Sequence, residues 1–135
     1  MIFFLDIEPP TVTAQMRRVT MRNGKPMFYK SRALKDAKAL FVGELMMHKP
    51  DQPFEGPVFL RVLWLFPTKT HKDLSWRITR PDTDNLQKLL KDCMTEVGFW
   101  KDDSQVCMET IGKQWTRTKP GIFIEVFNME QIWFT

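Results

Sequence analysis

Five aspartates lie between Arg80 and Val106, in the stretch RPDTDNLQKLLKDCMTEVGFWKDDSQV: Asp82, Asp84, Asp92, Asp102 and Asp103. The chain as a whole is basic, with a formal net charge of +4 over 135 residues. Gathering carboxylates in such a chain needs a reason, because two unit charges 5 Å apart repel by about 3 kcal/mol at an effective dielectric near 20. A hard divalent cation removes that cost, and carboxylate oxygens suit Mg2+ or Mn2+. The same ion acidifies water enough for it to attack a phosphodiester. A lysine beside the ion orients that water or stabilises the charge that builds on the phosphate. Lys88 has the right spacing, since residues i and i+4 share a helix face and Asp84 is its partner.

Spacing sorts the acids. Asp82 precedes the first turn of a predicted helix and can point to the side of Asp84. Asp92 lies about 12 Å beyond Asp84 by helix rise, too far to share a ligand with it. Asp102 and Asp103 follow the helix and open a strand. If that strand passes beside the N-terminal end of the helix, one of the two joins Asp82 and Asp84. On this reading Asp82, Asp84 and one of Asp102 and Asp103 are metal ligands and Lys88 assists the nucleophile or the scissile phosphate. Asn85 ties down the helix start, its commoner use, or holds a water of the metal. A plainer account also exists. Aspartate at a helix start caps free N–H groups and meets the helix dipole, which explains Asp82 or Asp84. It does not explain both together with Asp103.

The elements that must position these groups can be read from the pattern. Residues 2–7 predict a strand ended by Pro9-Pro10. Residues 11–22 are rich in β-branched side chains, and Asn23-Gly24 predicts a turn returning through KPMFYK; the same segment could serve as a basic arm. Ser31 is placed to cap a helix running to about His48. Leu34, Ala37, Phe41 and Leu45 form its inner stripe, broadened by Leu40, Val42 and Met46. VFLRVLWLF reads as a central strand apolar on both faces, closed by Pro67. Residues 68–81 read as a long basic loop, a type that often carries function. A second helix then runs from Asp82 or Thr83 to Gly98 at its C′ position, with Leu86, Leu89, Leu90, Cys93, Met94 and Val97 on one face. Strands at about 105–116 and through IFIEVF complete the set. The order predicts an α/β fold of mixed α+β character: one domain over residues 1–135, a small mixed sheet with two main helices.

Composition bounds the class of protein. Hydrophobic residues make up 43 % of the chain, enough for a core without disulfides or a structural metal. Cys93 and Cys107 stand in no CxxC motif and are expected to be reduced core residues. A pI near 9.2 favours an acidic partner, nucleic acid being the commonest. No apolar stretch is long enough for a membrane span, and Asp6 and Glu8 come too early for a signal peptide. A cytoplasmic, DNA-directed protein is the expectation. Arg17, Arg18, Lys69, Lys72, Trp76, Arg77 and Arg80 are the candidate DNA contacts, with Trp76 placed to stack on an opened base. Lys113, Arg117 and Lys119 are further phosphate candidates. Trp115 is expected in the core, and His71 has no specific role.

The acidic segment resembles the signature of the RusA family of Holliday junction resolvases. The resemblance rests on Asp82, Asp84-Asn85-Leu86, Lys88, Gly98, Phe99-Trp100 and Asp102-Asp103, over about 27 residues. It implies a RusA-like fold and a homodimeric, Mg2+-dependent endodeoxyribonuclease. Such an enzyme nicks symmetric strands of a four-way DNA junction in recombination and repair, and the family is often carried by phages or prophages. It further implies that Asp82, Asp84 and Asp103 are the catalytic acids and Lys88 the essential lysine, with Asp102 at a supporting or metal position. A homodimer suits a two-fold substrate. Its surface would be the first helix or the IWFT terminus, although Trp133 and Phe134 equally suit a core. Two rivals stand beside this reading: a basic DNA binder without chemistry, and a metal phosphohydrolase acting on another nucleic-acid substrate. The Asp-x-Asp-Asn-x-x-Lys spacing argues against the first. The abundant basic residues argue mildly against the second where its substrate is a small nucleotide, which needs no extended cationic surface.

Overall fold

Strand β4 (Val58–Pro67) sets the architecture. Its alternate residues Val58, Leu60, Val62, Trp64 and Phe66 are buried, while Phe59, Leu63 and Leu65 are half-buried and Arg61 is exposed. One sheet face therefore carries the core, as period-2 geometry requires. The computed structural model describes residues 1–11, 17–30 and 32–130, with 17–30 described by its backbone. Its other elements are β1 (Ile2–Leu5), β2 (Arg17–Arg22), β3 (Lys25–Lys30), α1 (Arg32–Met46), α2 (Thr83–Val97), a 3-10 turn (Asp103–Gln105), β5 (Val106–Thr116) and β6 (Gly121–Asn128). The main sheet has the order β1-β6-β4-β5, and β2 and β3 pair with each other as a separate hairpin. The expected mixed sheet with two helices is thus present. β4 is central, antiparallel to β6 and parallel to β5.

The parallel pair needs a crossover, and α2 supplies it. Its face of Leu86, Leu89, Leu90, Cys93, Met94 and Val97 is buried as expected, with Gln87 buried beside it. Each of those apolar side chains contributes about 2 kcal/mol by leaving water. They share one core with Leu34, Phe41 and Leu45 of α1, the inner row of β4, Ile122, Ile124 and Val126 of β6, and Phe99 and Trp100. Gly98 ends α2 at φ 102°, with its N–H donating to the Met94 carbonyl at 3.1 Å. That left-handed conformation explains the glycine. The β2–β3 turn likewise has positive φ at both Asn23 (52°) and Gly24 (76°), the requirement of a two-residue hairpin turn of the I′ type.

Several expectations are corrected. β1 stops at Leu5, though Ile7 is still buried. α1 ends at Met46, and Leu40 and Met46 are each 52 % exposed, so its buried stripe is narrow. A single sheet face cannot cover more than one side of a short helix. Cys93 is buried but Cys107 is exposed, because it opens β5, the outermost strand of the sheet. Ser31, Trp133 and Phe134 lie outside the described residues. Among the described residues no helix is long and apolar enough to cross a membrane.

Candidate active site

β4 ends where residues 68–82 begin, and this segment is less irregular than its sequence suggests. Residues 74–77 lie along the outer edge of β5. The Leu74 N–H donates to the Trp115 carbonyl (2.8 Å), the Trp115 N–H to Ser75 (2.8 Å), and the Arg77 N–H to Lys113 (3.0 Å). Trp76 bridges Gln114 in antiparallel sense. A short added strand thus closes that half of the edge. It was missed because its apolar residues, Leu74 and Trp76, are exposed by 54 and 66 % and no inner face marks it. Arg77 folds under the loop, over the rings of Phe66 (4.2 Å) and Trp115 (4.5 Å). It donates to the Thr79 hydroxyl (3.2 Å) and to the Arg80 carbonyl. Burial pulls its guanidinium pKa below the ordinary value. His71 stacks on Trp115 at 4.4 Å, and Trp115 packs against the core as expected.

The segment delivers the chain to α2. Asp82 is the N-cap residue, with extended backbone (φ −74°, ψ 149°), and its carbonyl accepts from the Leu86 N–H at 3.1 Å. Its side chain makes no capping hydrogen bond. Asp84 lies in the first turn, and both carboxylates are exposed. Capping therefore does not consume the Asp82 side chain. Lys88 is exposed one turn on, and it joins no ion pair among the described residues. Lys91 pairs instead with Glu109 of β5 (3.2 Å), and Gln87 donates to the same glutamate (3.3 Å). Asn85 is half-buried.

From the other side, Lys113 of β5 reaches this point. Its ammonium donates to the carbonyls of Thr79 (2.8 Å) and Pro81 (2.7 Å). Partial burial, then the charge of Arg77, lower its pKa, and the nearby Asp82 carboxylate opposes them. Sequence reading left this residue among generic phosphate contacts. The available signal was the period of β5: Ile111, Lys113 and Trp115 alternate onto one face, and Ile111 and Trp115 pack against the core. A lysine in that row must have partners.

Asp103 is elsewhere. Lys113 meets Pro81, while Glu109 meets Gln87 and Lys91, so α2 runs antiparallel to β5. The 3-10 turn that precedes β5 is therefore at the C-terminal end of α2. A helix of 15 residues separates it from Asp82 and Asp84, a span of about 22 Å. It is the far end of β5, not its start, that passes the N-terminus of α2. Among the described residues no group of three or more His, Cys, Asp or Glu side chains can hold a metal ion. Asp102 caps the 3-10 turn: its Oδ1 accepts from the Ser104 N–H (2.8 Å), and the Gln105 Oε1 accepts from the N–H groups of Lys101 (2.9 Å) and Asp102 (3.2 Å). The backbone and side-chain hydrogen bonds from Ser104 hold its carboxyl below the usual range. Asp103 beside it is exposed.

Lys69, Lys72 and Arg80 are exposed on the same basic segment as Trp76. Arg17 and Arg18 sit in β2, across from Tyr29 and Lys30 of β3.

Comparison with known proteins points the same way. The family model described as Endodeoxyribonuclease RusA matches residues 9–127. A protein of Lactococcus phage r1t named crossover junction endodeoxyribonuclease rusA is 33 % identical over 107 residues, covering 77 % of this chain and 80 % of that protein.

Proposed function

We propose that this chain, which belongs to the RusA family of endodeoxyribonucleases, resolves four-way DNA junctions by paired symmetric nicks that depend on Mg2+ or Mn2+. The observation that carries the reading is the pair Asp82 and Asp84. Both carboxylates are exposed, and that of Asp82 is unused by its own helix, at the mouth of a basic segment. A DNA binder without chemistry would use these acids as caps, and Asp82 does not cap.

The donors are oxygens, which fit a hard divalent cation. Asp82 and Asp84 would hold it, with Asp103 as the third acid. When bound, the cation supplies Lewis acidity toward water and phosphate. The chain's own groups do the rest. Lys88, one turn past Asp84, meets the charge that builds on the scissile phosphate. The free N–H groups and dipole of the α2 N-terminus favour an anion at the same place. Trp76, with Lys69, Lys72 and Arg80, forms the DNA-facing edge. Arg17 and Arg18 are further candidates for phosphate contact.

The position of Asp103, at the opposite end of α2 from Asp82 and Asp84, supports a homodimer. A two-fold axis crossing α2 near its middle would exchange the helix ends and bring each Asp82–Asp84 pair toward the Asp103 of the other copy. Two such sites suit a junction that needs two opposed cuts.

The test compares a synthetic four-way junction with linear duplex of the same sequence, with Mg2+ or with chelator, for the wild-type chain and Asp84→Asn. Symmetric nicks confined to the junction and to the metal are expected. The variant should lose them and bind the junction at least as tightly, since it removes a negative charge facing phosphate. Junction binding that collapses together with nicking would refute the placement of Asp84.

A further inference from the structure

We infer that Lys113 is a positioning residue for the carboxylate pair: its ammonium, reaching from β5, fixes the backbone that presents Asp82 and Asp84. The inference rests on the nuclease reading only for what those carboxylates do.

Between the added strand at 74–77 and the first turn of α2 the chain must change direction within a few residues. Apolar packing holds this corner only at Pro81, which is buried. Ile78 is 93 % exposed, and Thr79 and Arg80 are exposed as well. Hydrogen bonds from cations also hold it. Lys113 takes the carbonyls of Thr79 and Pro81, and Arg77 takes that of Arg80 between them. Three successive carbonyls thus each accept from a positively charged side chain. Such bonds are about twice as strong as neutral ones.

The two Lys113 bonds span 34 and 32 residues of sequence. They tie the start of α2 to the strand it packs beside. That strand is firmly placed, since β5 is paired with β4 along its length to the Pro67↔Thr116 position. Asp82 needs the tie, because no capping bond of its own orients its side chain. Arg77 cannot substitute, being occupied by Arg80, Thr79 and the two rings. Lys113 also brings positive charge near the Asp82 carboxylate, which helps two acids coexist there. Without the lysine the corner keeps the burial of Pro81 and loses the hydrogen bonds that tie the Thr79 and Pro81 carbonyls to β5.

The experiment uses the full chain as wild type, Lys113→Met and Lys113→Arg. Three quantities are read: the half-saturating Mn2+ concentration for junction nicking, the KM for junction, and hydrogen exchange of amides 78–84. Lys113→Met should raise the half-saturating Mn2+ about tenfold, the effect of losing charge-assisted hydrogen bonds to the backbone that precedes Asp82. The junction KM should stay unchanged, and exchange at 78–84 should quicken while β4 is unaffected. Lys113→Arg, which keeps donors at the same place, should recover most of the metal affinity. Wild-type metal saturation in Lys113→Met overturns the inference, whatever the exchange shows. So does a rise in junction KM with metal saturation unmoved, which would make Lys113 a phosphate contact. If the wild-type chain cuts no junction, the nuclease reading fails by itself; Mn2+ binding to the DNA-free variants then decides the role of Lys113.

Discussion

Asp84→Asn and Asp103→Asn should each be inactive alone and active when mixed. The distance in one chain makes this a sharp test. From Val106 to Lys113 strand β5 rises about 23 Å, and the Asp103 turn lies before one end while Asp82 lies beside the other. Ligands of a Mg2+ ion stand about 2.1 Å from it, so Asp103 cannot share an ion with Asp82 and Asp84 of its own chain in this fold. With sites formed between copies, a mixed dimer has one site with both alterations and one with neither. Random pairing of equal amounts makes about half the dimers mixed, so about one quarter of all sites are intact. Both residues are exposed, and surface substitutions of this kind cost within about 0.5 kcal/mol, so folding should not confuse the result. Differently tagged variants are co-expressed, the doubly tagged dimers purified, and end-labelled junctions followed on denaturing and native gels. Nicks should return at about half the wild-type number per purified mixed dimer. Paired cuts should remain rare, because each dimer has a single working site. Doubly tagged dimers as inactive as their parents would refute the shared site.

Other outcomes follow from single residues. Lys88→Ala should slow nicking about a hundredfold with the metal requirement unchanged, as expected for loss of one transition-state donor; unchanged turnover in a single-turnover assay would reject its role. Trp76→Ala should weaken junction binding by about 1–3 kcal/mol if the ring stacks on a base. Its unfolding midpoint should not move, because the side chain is 66 % exposed. Gel shifts in chelator and thermal melts check the pair. Gly121→Ala should cost about 3 kcal/mol in urea unfolding. A Cβ there would lie 2.1 Å from the Phe4 ring and 2.6 Å from the Leu5 carbonyl oxygen, and backbone cannot yield as a flexible side chain can.

The sequence made some of this legible for physical reasons. The six apolar residues of α2 were readable because a two-sided helix has a strict period and a clear glycine stop. The Asn23-Gly24 turn was readable because few residue pairs accept positive φ at both positions. The grouping of Asp82, Asp84 and Lys88 needed only helix spacing. Asp103 was different. Its distance from Asp84 in sequence is short, but its place depends on the pairing of β4 with β5. A parallel pair joined by one helix returns the chain to the starting end of the sheet, so whatever follows α2 directly lies at its C-terminus. That topology is a property of strand pairing, which composition and period do not encode. The exposed Leu40 and Met46 of α1 and the edge strand at 74–77 escaped for a related reason. Burial at an edge depends on what lies alongside, and the local pattern does not record it.

The arrangement also explains why a basic protein keeps an acidic island. In open sheets with parallel strands, ligands gather beyond the carboxyl ends of those strands. Here β4 and β5 both run toward the 68–82 segment, and α2 begins there with its positive dipole end. Carboxylates alone at that point would attract a cation and repel DNA. Arg80 and Lys88 flank them in sequence, Lys69 and Lys72 are exposed on the segment that leads to them, and Lys113 brings positive charge near Asp82. The cation-seeking oxygens stay local because their field is short, cut off within about 8 Å at physiological salt. On the proposed reading the lysines and arginines of the segment would act on the long phosphate chain, whose charge density makes many weak contacts add. On that reading the two signs would serve different ligands, and removing a single acid should tilt that balance toward tighter DNA binding without chemistry.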